Sequence, residues 1–94
     1  MLDILGKKIT IEKKTLKDRG VYGLCFLTRI EIDDSLKGDD LKITVCHEIA
    51  HAVLLRLGFE NTSLPHELEE LIVDNIAKVL VENKMIKIPR NLFD

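Results

Sequence analysis

The sequence has few cysteines and no long apolar run, and each shortage argues against a class of protein. Its two cysteines, Cys25 and Cys46, show no CxxC spacing, so we expect two reduced, buried thiols and no disulfide framework. No stretch contains 18 uncharged apolar residues, and no apolar run of signal length stands near the start. We therefore expect a cytoplasmic protein that does not use a membrane.

The sequence also has little net charge. It carries 14 Lys and Arg against 16 Asp and Glu, a net charge of −2, and the basic residues are scattered. This distribution argues against a dedicated nucleic-acid binder. Hydrophobic residues make up 46% and charged residues 32% of the 94 residues, a globular composition. On folding, a chain of this size buries roughly 60% of the surface that its unfolded chain exposes, or slightly more. Residues 1–94 should therefore form a single domain with one modest core.

The most informative stretch is Cys-His-Glu-Ile-Ala-His-Ala at residues 46–52, which contains the pattern His-Glu-x-x-His. On a helix His47 and His51 share one face and can bind one metal ion together, while Glu48 lies beside the metal. Two imidazoles, one carboxylate and an open fourth position form the usual hydrolytic zinc site, so Zn²⁺ is the expected cofactor. Cys46 projects about 100° away from His47 and is not an expected ligand.

The same pattern would also arise in an amphipathic helix with two incidental histidines and a solvated glutamate. The residues around the motif are strongly apolar, namely Leu41, Ile43, Val45, Ile49, Ala50, Ala52, Val53, Leu54, Leu55 and Leu57. Imidazoles and a carboxylate in so apolar a segment need partners, which favours a metal site.

Alternation of apolar and polar residues predicts the strands. Residues 7–14 alternate around Ile9 and Ile11, which predicts a short half-exposed strand whose flanking lysines suit a sheet edge. We expect two or three antiparallel strands in residues 7–33, with turns near residues 18–20 and 27–29. The last of them is Arg29–Asp33. Residues 85–89 either add a strand or lie on the surface, and residues 90–94 should fray.

Two long helices follow the strands. The first should begin at Asp39 or Asp40 and end near Leu57, with Gly58 as its stop. The second should run from about residue 64 to residue 83, with Thr62 or Ser63 as its cap. The short connection implies that the two helices pack against each other.

A hydrolytic zinc site needs a third protein ligand, and the opening of the second helix is rich in candidates: His66, Glu67, Glu69, Glu70 and Asp74. Acids in a first helical turn ordinarily favour the helix dipole and face water, so one or two at most should be functional.

Helical projection leaves two of these acids in competition. Glu69 projects into the arc of Leu68, Ile72, Val73, Ile76 and Leu80, whereas Glu70 points away from the centre of that arc. We favour Glu70, because Asp74 would then be placed to support a metal-bound histidine. Glu67 and His66 rank below both.

The motif and the segment Glu-Glu-Leu-Ile-Val-Asp-Asn-Ile-Ala at residues 69–77 resemble the small zincin domains of phages and mobile elements, which are related to ImmA/IrrE-type metallopeptidases. The similarity covers roughly residues 29–83, with Arg29–Asp33 similar to the strand that precedes the motif helix. In thermolysin-like zincins the third ligand is a Glu with an Asp four residues later. Glu70 and Asp74 have that spacing, and the 19 residues from His51 to Glu70 are also typical.

The expected architecture is thus an α+β minimal zincin, a small antiparallel sheet beside two helices with zinc between them. The expected function is hydrolysis of a peptide bond, in which Glu48 takes a proton from the zinc-activated water and delivers it to the leaving amine. The substrate would pair with Arg29–Asp33 by strand addition. The resemblance suggests a repressor-like protein as substrate. Tyr22 could stabilise an oxyanion, but a tyrosine near a strand is more often simply packed.

Two alternatives stay open. One is a non-catalytic zinc-binding module for protein interaction or regulation, since 94 residues leave little chain for a substrate cleft. The other is a small regulatory protein without metal. Glu48 favours chemistry over the first alternative, because a purely structural zinc site has no use for a carboxylate at that position.

Overall fold

The structure, a computed structural model, describes residues 1–56 and 65–93. Its elements in chain order are β1 (Leu2–Ile4), β2 (Lys7–Lys14), a 3₁₀ turn (Lys17–Arg19), β3 (Gly23–Cys25), β4 (Arg29–Asp33), α1 (Gly38–Arg56) and α2 (His66–Glu82). The predicted α+β class, with a small sheet beside two main helices, is confirmed.

The sheet is mixed, with the strand order β1-β2-β4-β3. β1 pairs with β2 and β3 pairs with β4 in antiparallel fashion, but β2 and β4 run parallel, with Ile11 opposite Ile30. After β2 the chain passes over one strand position and forms β3, and β4 then turns back into the position between β2 and β3. This connection makes β4 parallel to β2. The antiparallel arrangement that we expected therefore holds for two of the three pairs.

Two strands lie at positions in the sheet that differ from the prediction. β1 was not predicted, because three residues are too few for an alternation signal. It forms a hairpin with β2 through Leu5 and Gly6, whose φ angles of 49° and 83° suit a tight two-residue turn. β2 is therefore not at the sheet edge. β4 lies between β2 and β3, so the expectation that Arg29–Asp33 binds substrate by strand addition is wrong.

The core lies between the sheet and α1. It consists of the buried residues Ile4, Ile9, Ile11, Ile30, Ile32, Val45, Ala52 and Leu92. The three strands with isoleucines contribute alternate residues, as expected for a sheet with one face on the core. These contacts fix the orientation of α1, and hence the direction of the histidines that α1 carries.

The end of the chain is packed and does not fray. Residues 85–89 form no strand, but Leu92 is only 3% exposed and belongs to the core. The amino group of Met1 donates a hydrogen bond to the Leu92 carbonyl at 2.8 Å. Our expectation for residues 90–93 is therefore wrong, because Leu92 is buried in the core and Phe93 packs against it; Asp94 lies outside the described residues.

The helix bounds agree with the prediction where they can be compared. α1 begins at Gly38, with Asp39 and Asp40 in its first turn, where acidic side chains interact favourably with the helix dipole. α2 begins after Pro65, whose backbone is extended. The predicted stop and caps at positions 57, 58, 62 and 63 lie outside the described residues. In the described part of the chain, neither helix has the length and hydrophobicity needed to cross a membrane.

α2 packs against α1 through a face that differs from the predicted one. Its buried residues are Glu69, Val73, Ala77 and Val81, spaced by four. Leu68, Ile72 and Ile76, which we expected in the packed arc with Val73, are exposed. Because α2 is apolar on more than one side, its periodicity alone does not identify the side that contacts α1.

Asp33, the last residue of β4, connects the segment that follows β2 with the segment that follows β4. Its buried carboxylate accepts hydrogen bonds from the N–H groups of Leu16 and Lys17 at 2.8 and 2.9 Å. It also accepts bonds from the hydroxyl and the N–H of Ser35. The Ser35 hydroxyl and these N–H groups lower the pKa of Asp33 from 3.8 to about 2. Asp33 is therefore an anion that fixes the segment before β3 relative to the start of α1.

Candidate metal centre and cleft

His47, His51 and Glu70 converge on one point between the two helices. The Nε2 atoms of His47 and His51 lie 3.1 Å apart. Glu70 places Oε2 at 3.1 Å from Nε2 of His47 and Oε1 at 2.9 Å from Nε2 of His51. One ligand atom from each residue lies within 4.8 Å of the other two. α1 supplies the histidines on successive turns, and α2 supplies the carboxylate.

The outer nitrogen of each imidazole faces a second carboxylate. Glu69 Oε2 lies 3.2 Å from Nδ1 of His51, and Asp74 Oδ1 lies 3.6 Å from Nδ1 of His47. Asp74 is itself bound by Lys78 Nζ at 2.7 Å, and this ammonium holds the pKa of Asp74 below its ordinary value. A carboxylate at Nδ1 keeps the proton there and directs the lone pair of Nε2 inward.

This arrangement fits a metal ion. Two imidazole nitrogens and a carboxylate all face one position, and three acceptors at such short separations repel one another unless a proton or a metal cation lies between them. The Nε2 atoms of the two histidines lie 3.1 Å apart, and the two oxygens of the Glu70 carboxylate lie 3.1 and 2.9 Å from them. Ligands at roughly 2.0–2.2 Å from a tetrahedral zinc ion are about 3.4 Å apart, which is of the same order. The donor set of two nitrogens and one carboxylate also suits zinc.

Each candidate acid from the sequence has a distinct place. Glu70 belongs to the converging triad, whereas its rival Glu69 is 4% exposed and contacts the outer nitrogen of His51. Asp74 lies beside His47, the supporting position that we predicted. Glu67 is exposed, and the exposed His66 has its Nε2 4.0 Å from Glu70. Glu70 reaches the histidines because it lies at the border of the face of α2 that packs against α1.

Glu48 is buried beside this cluster without belonging to it. It is 8% exposed and lines the same cleft as His47 and Glu70. Burial raises the pKa of Glu48 to about 7; His47 opposes this rise and Glu70 adds to it. A carboxyl group with this pKa can both take up and release a proton near neutral pH.

Gly23 of β3 lies so close to Glu48 that a Cβ atom at position 23 would force Glu48 or the strand to move. A Cβ atom at position 23 would lie 2.8 Å from Cγ and 3.0 Å from Oε2 of Glu48, and 3.1 Å from Cγ2 of Thr44. Gly23 thus limits where the Glu48 carboxylate can lie. We did not identify Gly23 as functional from the sequence, although a glycine inside a strand is a recognised sign of close approach.

The cleft beside the cluster has a volume of about 540 Å³, within the usual range for ligand sites. Apolar side chains of Val21, Leu36 and Ile43 line one part of it, and the remaining lining residues are Tyr22, Gly23, Asp40, Thr44, His47, Glu48, Glu70, Asp74 and Lys78. Tyr22 is 65% exposed and so is not simply packed. The cleft is large enough for a short stretch of peptide.

β3 forms the edge of the sheet at this cleft. The N–H of Asp33 donates to the Tyr22 carbonyl at 2.8 Å, and the N–H of Phe26 donates to the Arg29 carbonyl at 2.8 Å. Because backbone groups of successive residues alternate in direction in an antiparallel pair, the N–H and C=O of Gly23 point away from β4. They face the side of β3 that has no strand partner among residues 1–56 and 65–93.

Cys25 and Cys46 are both partly exposed, so the expectation that they are buried is wrong. Cys46 is not among the residues that could hold a metal in the described part of the chain. Burial raises the pKa of the Cys46 thiol.

Comparisons of the chain with protein-family models, with curated proteins and with solved structures found no match. Function is therefore inferred from the geometry of the site.

Proposed function

We propose that this protein is a zinc-dependent metallopeptidase of the minimal zincin type. His47, His51 and Glu70 would hold the zinc, and Glu48 would be the general base. The observation that carries the proposal is the convergence of two imidazole nitrogens and one carboxylate, 2.9 to 3.1 Å apart, with a further carboxylate behind each imidazole. The resemblance of the motif and of residues 69–77 to small zincin domains supports the same function.

Zinc in such a site lowers the pKa of a bound water and polarises the scissile carbonyl. The protein supplies the rest. Glu69 and Asp74 keep His51 and His47 in the tautomer that offers Nε2, and they increase the basicity of both ligands. Each of these carboxylates also holds the orientation of the imidazole that it contacts.

Glu48 provides the proton transfer. Its carboxylate accepts a proton as the water oxygen forms a bond to the carbonyl carbon, and it returns that proton to the nitrogen as the C–N bond breaks. Its burial keeps it close to the cluster, and Gly23 limits its position from the opposite side. A purely structural metal site does not need a buried acid at this position.

The substrate is proposed to be an extended protein segment that pairs with β3 on the side away from β4. Gly23 directs its backbone donor and acceptor to that side, which supplies what an extended peptide requires. This side of β3 replaces β4, which has partners on both sides. Repressor-like regulators remain the first class of substrate to screen, a choice that depends on the family resemblance alone.

Glu48→Gln tests the mechanism. The substitution keeps size and removes the proton acceptor, so zinc content should stay unchanged while cleavage falls by at least about a hundredfold. Zinc is measured by elemental analysis, and cleavage is measured on proteins encoded near this gene. Glu67→Gln is the matched control, because Glu67 is exposed and contacts neither histidine. A Glu48→Gln protein that cleaves at the normal rate would refute the mechanism.

The non-catalytic zinc module makes a different prediction. If wild-type protein binds zinc, cleaves none of the candidates and binds a partner equally well with or without Glu48, then the zinc site is structural and the protein acts by binding.

A further inference from the structure

Three residues of α2 that line the cleft follow one another at intervals of four. Glu70, Asp74 and Lys78 therefore lie along one side of the helix, the side that borders the metal centre. Glu70 belongs to the converging triad, and Asp74 lies beside His47. In the described part of the chain Lys78 is the only Lys or Arg that lines the cleft, so its ammonium is the single basic side chain among these carboxylates.

The carboxylates behind the two histidines are held differently. Glu69 Oε2 lies 3.2 Å from Nδ1 of His51, and the Glu69 side chain is only 5% exposed. Asp74 Oδ1 lies 3.6 Å from Nδ1 of His47, and the Asp74 side chain is 38% exposed. A distance of 3.6 Å is longer than an ordinary hydrogen bond. Packing therefore fixes Glu69, whereas Asp74 needs a further contact to stay directed at His47.

Lys78 provides that contact. Its Nζ lies 2.7 Å from Oδ2 of Asp74, whereas the oxygen nearest to His47 is Oδ1. The two oxygens of one carboxylate thus have different partners, and a carboxylate held at Oδ2 is restricted in how Oδ1 can turn. The pair spans one helical turn with the acid before the lysine, which is the favourable order on a helix. It forms within α2 and does not depend on how the two helices pack.

We propose that Lys78 is a positioning residue of the metal centre. It holds Asp74 against Nδ1 of His47, and Nε2 of His47 is thereby kept facing Glu70 and His51. Lys78 acts through Asp74 and is not itself a ligand. This role rests on the proposed function only in that the triad binds zinc, and it does not require that the protein cleaves a peptide.

The competing role is an ordinary ion pair on the helix surface. The Lys78 side chain is 58% exposed, and exposed pairs contribute little to stability. Removal of the ammonium should therefore leave the fold intact and change only what Asp74 does at His47. An ion pair without a positioning role would affect neither zinc affinity nor the proton on Nδ1 of His47.

Lys78→Met tests the proposal, because it keeps an aliphatic side chain and removes the charge. Loss of a group that contacts a ligand histidine costs about 10- to 100-fold in metal affinity, and a residue that acts through such a group should cost less, roughly 3- to 10-fold. Zinc affinity is measured by competition titration, and circular dichroism should be unchanged. Lys78→Arg should retain the wild-type affinity. Lys87→Met is the matched control, since Lys87 is exposed and does not line the cleft.

The Nδ1 proton of His47 gives a readout that needs no substrate. In zinc-loaded protein, NMR should show this proton exchanging with water faster in Lys78→Met than in wild type, because Asp74 no longer stays beside it. In an Asp74→Asn background, Lys78→Met should cause no further loss of zinc affinity. Lys78→Gln repeats these measurements if the methionine disturbs folding.

The outcomes separate the role of Lys78 from the metal centre. Wild-type protein that binds no zinc overturns the metal centre and this role with it. If wild type binds zinc, equal affinities of wild type and Lys78→Met overturn the role of Lys78 alone, as does an undiminished loss in the Asp74→Asn background. A Lys78→Met protein that differs from wild type only in a raised KM would show that Lys78 binds substrate, and would also overturn the positioning role.

Discussion

Gly23→Ala is the most direct test of how the fold positions Glu48. The new methyl group would lie 2.8 Å from Cγ of Glu48, whereas nonbonded carbon atoms prefer about 3.5–4.0 Å. Glu48 or the strand must therefore move by roughly 0.7 Å or more. Displacements of about 1 Å in a catalytic group cost about a hundredfold in rate, so cleavage should fall by one to two orders of magnitude while zinc content stays unchanged.

The same contact has a consequence for stability that needs no substrate. Inserting a methylene-sized group into a packed site costs about 1–3 kcal/mol, which for a domain of this size corresponds to a melting temperature lower by very roughly 5–20 °C. The assay is thermal unfolding followed by circular dichroism.

A double-mutant cycle isolates the contact between Gly23 and Glu48. In a Glu48→Ala background the Cγ atom is absent, so Gly23→Ala should cost less by at least about 1 kcal/mol, the coupling typical of residues in contact. An equal cost of Gly23→Ala in both backgrounds would show that the two residues do not constrain each other.

Three further outcomes are expected. Purified protein should carry about one zinc per chain, and His51→Ala should abolish zinc binding because too few ligands remain. A chelator should lower the melting temperature by several degrees. Full zinc occupancy in His51→Ala would contradict the site. Glu69→Gln should weaken zinc affinity by about 10- to 100-fold, while Glu67→Gln leaves it unchanged, and equal affinities in a competition titration would remove Glu69 from its supporting role. The pKa of Asp33 is lowered from 3.8 to about 2 by folding, so its stabilising effect is present above about pH 4 and lost as the pH falls towards 2. Urea unfolding of chelated protein should show this loss, and Asp33→Asn should flatten it; parallel pH profiles for the two proteins would contradict it.

The sequence alone determined the features that depend on local geometry. The spacing of His47 and His51 places both imidazoles on one side of any helix, and Glu48 follows from the same geometry. The alternation in β2 and β4, the start of α1 and the end of α2 were also predictable, because short-range periodicity and acids near a helix start act within a few residues. Glu70 was favoured over Glu69 on its spacing to Asp74, and the structure places it in the triad.

Tertiary packing decided what involves residues far apart in the chain. α2 is apolar on two sides, so only its docking against α1 selects Val73 and Ala77 for burial and leaves Leu68 and Ile72 exposed. The parallel pairing of β2 with β4 joins strands separated by a third element, and no local pattern encodes such a partner. The contact of Gly23 with Glu48 likewise depends on how α1 lies against the sheet edge. The buried side of α2, the pairing of β2 with β4 and the contact of Gly23 with Glu48 depend on how the surfaces of the formed elements fit together. A periodic pattern shows which surfaces are apolar but not which of them will meet.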